Sequence, residues 1–575
     1  MTRLRAQCLL GGFTAAVLLS GTAAAQAHHR PNPAPHPPPA AMRELTADEQ
    51  VKHALNRLTF GPRPGDVAAV TAMGVDAWIA RQLHPESIPD SLADRILGTF
   101  DSQRRSVRDL MDSMPSRDEF VRASRRAHGV SDTAQFTLPA DDSLRYVLIY
   151  RRADQLANEI LPAKLLRAEL SERQLLEVMV QFWENHFYLF SGRLPSRYSL
   201  LEYERDVIRP HALGRFRDLL GAVAKSRDML FYLDNWQSSA DGDHISLTEF
   251  ESQQGNASHR LAKRKRPSGL NENYARELLE LHTMGVNGGY TQADVVNVAR
   301  AFTGWTVQDP ARGNEFDFLP ERHDADPKLV LGTALPAGRG IEDGEQVLDI
   351  LARHPSTATF ISTKLVRQFV SDSAPPALVA RTAETYRRTD GDIRECLRTI
   401  FTSPEFFSRA AYRHKVKPPL ELVLSLRRVV SAFPDTTLRT SQVIAHLGEP
   451  LFGRVSPDGY PTDAAAWLNT GAVLNRINLG ITAIGGAVPG ASIERWPLAV
   501  GLLGQPLDVQ VDGVIASILE GEASADTRHI LIAGENPLVP SPQGGMATPA
   551  PAPGGRPSLP MLVGLALGAP EFQWR

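Results

Sequence analysis

Asn271-Glu272-Asn273-Tyr274-Ala275-Arg276-Glu277-Leu278-Leu279-Glu280-Leu281-His282-Thr283-Met284-Gly285 carries the helical period in its clearest form. With Glu277 at zero and 100° per residue, Tyr274, Ala275, Leu278, Leu279, Leu281 and His282 fall between about 40° and 200°. That face is expected to be buried. Glu280 and Asn273 fall at about 300° and 320°, flanking Glu277, so two carboxylates and an amide share the opposite edge. The same period runs from roughly Met42 to Ala533. Thr46-x-x-Glu49 is a capping box before Val51, Leu55 and Leu58. Gly65-Asp66 opens a helix that Gly74 ends, and Ser171-x-x-Gln174 opens one with Leu175, Met179, Phe182 and His186 in a stripe. Thr291, with Asp294 three residues on, caps another, while Pro355 and Pro404 suit first turns, the latter after Ser403. Strand-like alternation is scarce; Glu315–Phe318 with Leu329–Leu331 is the one expected hairpin. The expectation is an all-α fold, a large multi-helical body with at most a small β-hairpin and a polar loop at about 237–269.

The 575 residues are 42% hydrophobic and 22% charged, which is globular composition with ample material for a core. Lys plus Arg number 62 against 65 Asp plus Glu, and the net charge of -3 gives no general pull toward nucleic acid. The basic run His259–Arg266 has no aromatic residues between its charges for base stacking. Residues 1–27 read as a secretory signal: Arg3 and Arg5, an apolar run from Cys8 to Leu19, then small residues. That run is well short of the ~20 residues a membrane span needs. No transmembrane anchor is expected after signal removal, and the location is expected to be periplasmic or extracellular. Residues 28–42 form a Pro/His-rich linker, 43–533 the helical main domain and 534–560 a Pro/Gly-rich linker. The apolar segment 561–575 is expected to dock on the main domain. Beyond the signal only Cys396 remains, so no internal disulfide is expected.

The familiar catalytic signatures are missing: there is no G-x-S-x-G elbow, P-loop, H-E-x-x-H or dinucleotide fingerprint. Chemistry is left to polar residues on helices. Carboxylates three apart on a helix have Cβ atoms about 5–6 Å apart. Were Glu277 and Glu280 to face a cleft, one pKa would rise and an acid and a base could coexist. The bland reading is a solvated face with Arg276 paired to Glu280. His282 shares the apolar face and is either a site residue or a core histidine held by a hydrogen bond. In Phe182-Trp183-Glu184-Asn185-His186-Phe187, His186 continues the stripe and Glu184 points roughly 200° away, so the two would not share a metal on a continuous helix. Trp183 belongs to a pocket wall or to packing. His323, Asp324 and Asp326 put an imidazole and hard oxygens in one loop, a weak pattern for a divalent metal ion.

Several segments now combine. Leu58-Thr59-Phe60-Gly61-Pro62, Phe182–Phe187, Arg209-Pro210-His211-Ala212-Leu213-Gly214, Tyr232-Leu233-Asp234, Asn273–His282, Ala301-Phe302-Thr303-Gly304-Trp305 and Pro570-Glu571-Phe572-Gln573 follow one another in the order of a known family. Together they resemble the bacterial domain of unknown function 1800 family (DUF1800), from about Val51 onward. The resemblance implies a helical, exported protein, often encoded beside a second exported family with a sulfatase-like or phosphatase-like look. A protein partner from a neighbouring gene is therefore expected. It also implies that His186, His211, Asp234, Glu277, Glu280 and His282 are recurring polar positions. Glu184 departs from the pattern, where histidine is common.

Two functions follow. One is a hydrolase-like enzyme acting on an envelope or extracellular polymer. Its catalytic residues would be Glu277, Glu280, His282 and His186, with Asp234, Asn273, Trp183 and His211 binding substrate. The other is a non-catalytic exported scaffold or binding protein, in which the same polar groups hold helices in register.

Overall fold

The computed structural model describes residues 43–113, 115–131, 133–196, 198–253, 269–307, 315–534 and 556–575. The signal, the first linker, the basic run His259–Arg266 and most of the second linker lie outside them. Among the described residues, helices dominate and the strands are four segments of three residues each. The fold is all-α, and no described helix is long and apolar enough to cross a membrane.

The local signals act as their chemistry requires. Thr46 and Glu49 form a reciprocal capping box at the start of Ala47–Leu58, and Thr291 and Asp294 do the same for Gln292–Ala301. Gly74 closes Asp66–Met73, and Pro355 opens Pro355–Phe369. That helix packs on Pro376–Arg388, which packs on Ile393–Phe401. In the last of these Ile393, Cys396, Leu397, Ile400 and Phe401 are all buried along one face. Cys396 is thus a core thiol, and burial pushes its pKa up.

Four expectations are corrected. The hairpin is two hairpins: Phe316–Phe318 pairs with Trp305–Val307, and Lys328–Val330 pairs with Thr333–Leu335. In the second, Leu331 and Gly332 form a two-residue turn with φ of 48° and 80°, so the strand folds back at once on the next residues. Pro404 starts only a run of turns, where Ser403 Oγ accepts from the Phe406 N–H at 3.2 Å. Ser171 does not cap Gln174–His186; its hydroxyl donates to Asp90 at 2.6 Å instead. Leu281 is half-buried rather than buried, for a reason given below.

The end of the chain is fixed by close packing and by backbone pairing. Helix Leu559–Gly568 lies against Thr470–Thr482 and Leu507–Ile518. Gly480 and Gly564 let the backbones approach, since a Cβ at either would strike the facing main chain. Beyond it, Val416 and Trp574 form an antiparallel bridge, and the Arg575 N–H donates to the Lys415 carbonyl at 2.8 Å. Gly480→Ala is expected to destabilise the protein by about 1–3 kcal/mol through overpacking. Gly485→Ala, where nothing lies within 4 Å, should change stability by less than about 0.5 kcal/mol. Denaturant melts of the two variants check this pair.

Candidate functional site

Helix Gln174–His186 buries Leu175, Met179, Phe182 and Trp183 and presents Glu184, Asn185 and His186 in its last turn. Consecutive helical side chains diverge by about 100°, so the three reach different neighbours. Glu184 takes the Lys164 ammonium. Asn185 clamps the loop 453–462 at one residue: its Oδ1 accepts from the Tyr460 N–H at 2.7 Å and its Nδ2 donates to the Tyr460 carbonyl at 2.8 Å. His186 donates from Nε2 to the His282 carbonyl at 3.0 Å. A carbonyl only accepts, so the proton sits on Nε2 and the Nδ1 lone pair faces Lys364 Nζ, 2.8 Å away.

Burial sets the charges here. It drives the His186 pKa well below the ordinary imidazole value, helped by the charge of Lys364, and holds His282 at about 3. Both imidazoles are neutral. Lys364 is itself pushed down to about 8 by burial.

The second component is the segment Asn271–Gly285. Asn271 caps Glu272–Glu277, its Oδ1 accepting from the N–H groups of Asn273 and Tyr274 at 2.9 and 3.3 Å. From Leu278 to Thr283 the helix widens to the π form, and the Met284 N–H bonds five residues back to the Leu279 carbonyl at 2.8 Å. The Thr283 hydroxyl donates to the Leu278 carbonyl at 2.7 Å. The extra residue in the turn rotates everything after Leu278, so His282 and Thr283 are buried while Leu281 rolls outward. Arg276 pairs back with Glu272 at 3.4 Å rather than forward with Glu280 as expected. Glu280 accepts from the Tyr290 hydroxyl at 3.4 Å. Glu277 is half-buried, and its pKa is raised by burial, by Glu280 and by Asp458, with Arg276 opposing. Asp458 comes from the loop that Asn185 holds, and it also acts on Lys364.

The remaining candidates divide. Asp234 is exposed in the left-handed region at φ 60° and pairs with Arg193 at 3.3 Å, whose guanidinium lies 6.0 Å over the Tyr232 ring. Tyr232 in turn donates to the Val455 carbonyl at 3.3 Å, which joins this rim to the Asp458 loop. Asn273 is exposed on the first turn of its helix. Trp183 is wholly buried, donates to the Ala212 carbonyl at 2.8 Å and sets its ring edge-on to His186 at 5.5 Å. It positions the histidine and offers no surface to a ligand. His211 ends the turn Arg209–His211 and is half-buried; its neighbour Arg209 belongs to a buried ion network with Glu177 and Glu204.

His323, Asp324 and Asp326 do not converge. His323 Nδ1 donates to the Thr303 carbonyl at 2.7 Å, and the imidazole that does join Asp324 and Asp326 is His244, the three ligand atoms lying within 4.8 Å of one another. Cations of the chain already occupy that cluster. Arg300 grips Asp324 at 2.7 and 3.1 Å and comes within 3.4 Å of His244 Nδ1. Lys328 Nζ donates to the Asp324 and Asp326 carbonyls and, at 2.8 Å, to Asp343. Arg339 adds a third positive charge 3.1 Å from Asp343, without hydrogen-bond alignment. Three cations therefore meet three carboxylates, and the charge balances without a metal.

The model of the family described as protein of unknown function (DUF1800) matches residues 53–574. The chain belongs to that family. No curated protein and no solved structure matches it. In this DUF1800 protein, sequence reasoning missed Lys364, Asp458 and His244. Lys364 did leave a signal: a lysine three residues after Ile361 and next to Leu365, both buried, in a helix that also buries Ala358, Val366 and Phe369. Asp458 left none, because it enters through a clamp between residues 275 apart in sequence. Lys364 is expected to titrate near 8 rather than at the usual lysine value, read from the 13C shift of its reductively methylated amine in the intact protein; Lys364→Arg identifies the signal.

Proposed function

We propose that this DUF1800 protein is an exported, hydrolase-like enzyme acting on an envelope or extracellular polymer. The observation that carries the reading is the half-buried Glu277 carboxyl, whose affinity for its proton is raised by burial and by two neighbouring carboxylates, Glu280 and Asp458. An acid tuned this way keeps its proton to a higher pH than an ordinary glutamate and can pass it to a leaving group. Glu280 is the partner base, and Lys364, deprotonated near pH 8, offers a positive charge or a lone pair to developing charge. His186 and His282 act through Lys364 as positioning residues. The exposed Asp234 and Asn273, with Glu280 half-buried beside Glu277, suit a chain lying across the site better than a small molecule enclosed by it. Export rests on the amino-terminal signal, and a partner encoded nearby rests on the family resemblance.

The scaffold reading keeps one specific support: both ring nitrogens of His186 are engaged inside the protein. Glu277→Gln separates the two. The enzyme reading expects release of reducing ends from purified envelope polysaccharide to fall 10²- to 10⁴-fold, the usual worth of a general acid, with the melting temperature unchanged. A large drop in melting temperature, or unchanged release, makes the carboxyl structural.

A further inference from the structure

The longest described helix, Ala140–Asn158, is held to the body by one face. Ala153 and Leu156 are buried, and the Tyr146 ring lies 5.3 Å from Phe120 of the neighbouring helix Arg117–Ala127. The opposite face meets solvent. With Leu144 at zero and 100° per residue, Val147, Leu148, Arg151, Gln155 and Asn158 fall within about 60° of it. All six are exposed. Leu144 is 61% and Leu148 56% exposed, so the apolar part of this stripe is uncovered along its length.

Positive charge follows the stripe. Ser143–Ala153 carries three arginines and no carboxylate, in a chain whose net charge is -3. Arg145 lies 6.0 Å over the Phe120 ring and Arg152 pairs with Asp101 at 2.7 Å. The Arg151 guanidinium has no carboxylate partner among the described residues. Beyond Arg151 the stripe runs into an open groove of about 410 Å3, lined by Gln155, Asn158, Glu159, Thr437 and Arg439. Ligand sites span about 300–1,000 Å3, so a small polar group has room there. Arg439 also lacks a carboxylate partner among the described residues. Two carboxylates nearby are engaged: Glu159 accepts from the Ser102 N–H at 2.8 Å, and Asp154 from Asn158 at 3.3 Å.

We propose that this face docks on a membrane surface rich in anionic phospholipid. Leu144, Val147 and Leu148 enter the boundary between headgroups and acyl chains, and Arg145 and Arg151 reach back along its edge to lipid phosphates. The groove takes one headgroup, whose phosphate meets Arg439. The helix lies on the surface, since it is not apolar enough to cross a membrane. A second copy of the chain fits less well: a two-fold contact through the same stripe brings like charges together at Arg151. The docking does not depend on Glu277 being catalytic.

Vesicle titration of the intact protein, read by flotation, tests the proposal. Binding is expected to vesicles of phosphatidylcholine and phosphatidylglycerol in equal parts. It should fall by about tenfold or more with phosphatidylcholine alone, or in about 1 M NaCl, where charges are screened beyond about 3 Å. Leu148→Asp and Arg151→Glu, both at exposed positions, should each weaken it by about tenfold or more with the melting temperature unchanged. Val500→Asp, at an exposed apolar position outside the stripe, should leave it unaltered. No binding to the mixed vesicles would overturn the proposal, as would binding that survives both stripe variants. Equally tight binding to soluble polyglutamate, lost in Arg151→Glu, would overturn it in favour of an acidic protein partner.

Discussion

The last turn of one buried helix organises the centre of this protein. Glu184, Asn185 and His186 leave Gln174–His186 in three directions, and each is tied to a different part of the chain. The helix cannot shift without breaking all three ties, because Trp183, one residue before them, is wholly buried and hydrogen-bonded to Ala212. Packing fixes the rod and the polar tips fix what surrounds it. The candidate acid–base site depends on this frame, because Asn185 holds the loop that supplies Asp458.

Buried charge gives this frame its cost and its specificity. Arg209 bridges Glu177 and Glu204 at 2.7 to 2.9 Å, Arg427 grips Glu169 at 2.8 and 3.2 Å, and Arg300 does the same for Asp324. Removing one member of such a pair leaves an uncompensated buried charge, typically worth about 3–5 kcal/mol. These networks join helices distant in sequence, as between Glu169 and Arg427. Against that background, Lys364 stands out as an ammonium held against a neutral imidazole rather than a carboxylate, and its proton is correspondingly easy to remove.

The helical class was legible because it is written locally. Capping boxes at Thr46 and Thr291, the glycine stop at Gly74 and the proline start at Pro355 each act within four residues. Errors arose where distant residues decided the outcome. The strand at Phe316–Phe318 chose Trp305–Val307 over Lys328–Val330, whose own tight turn claimed it first. A uniform 100° projection placed Tyr274, Glu277, Leu278, Leu279 and His282 well but failed at Leu281, which the π turn rolls outward. His186 and His282 do come together directly, through the His186 Nε2 bond to the His282 carbonyl, while Lys364, which no motif flagged, takes the other ring nitrogen of His186. For the acidic loop, the wrong imidazole was expected because His244 lies far from Asp324 in the chain.

The claim that one helix tip sets the geometry of the candidate site is tested most directly at Asn185, by hydrogen–deuterium exchange on Asn185→Ala. The account predicts that the amides of Gly453–Thr462, above all Tyr460, lose protection while those of Gln174–Trp183 keep theirs. Unchanged protection at Tyr460 would contradict it, because the loop would then owe its position to something other than the clamp.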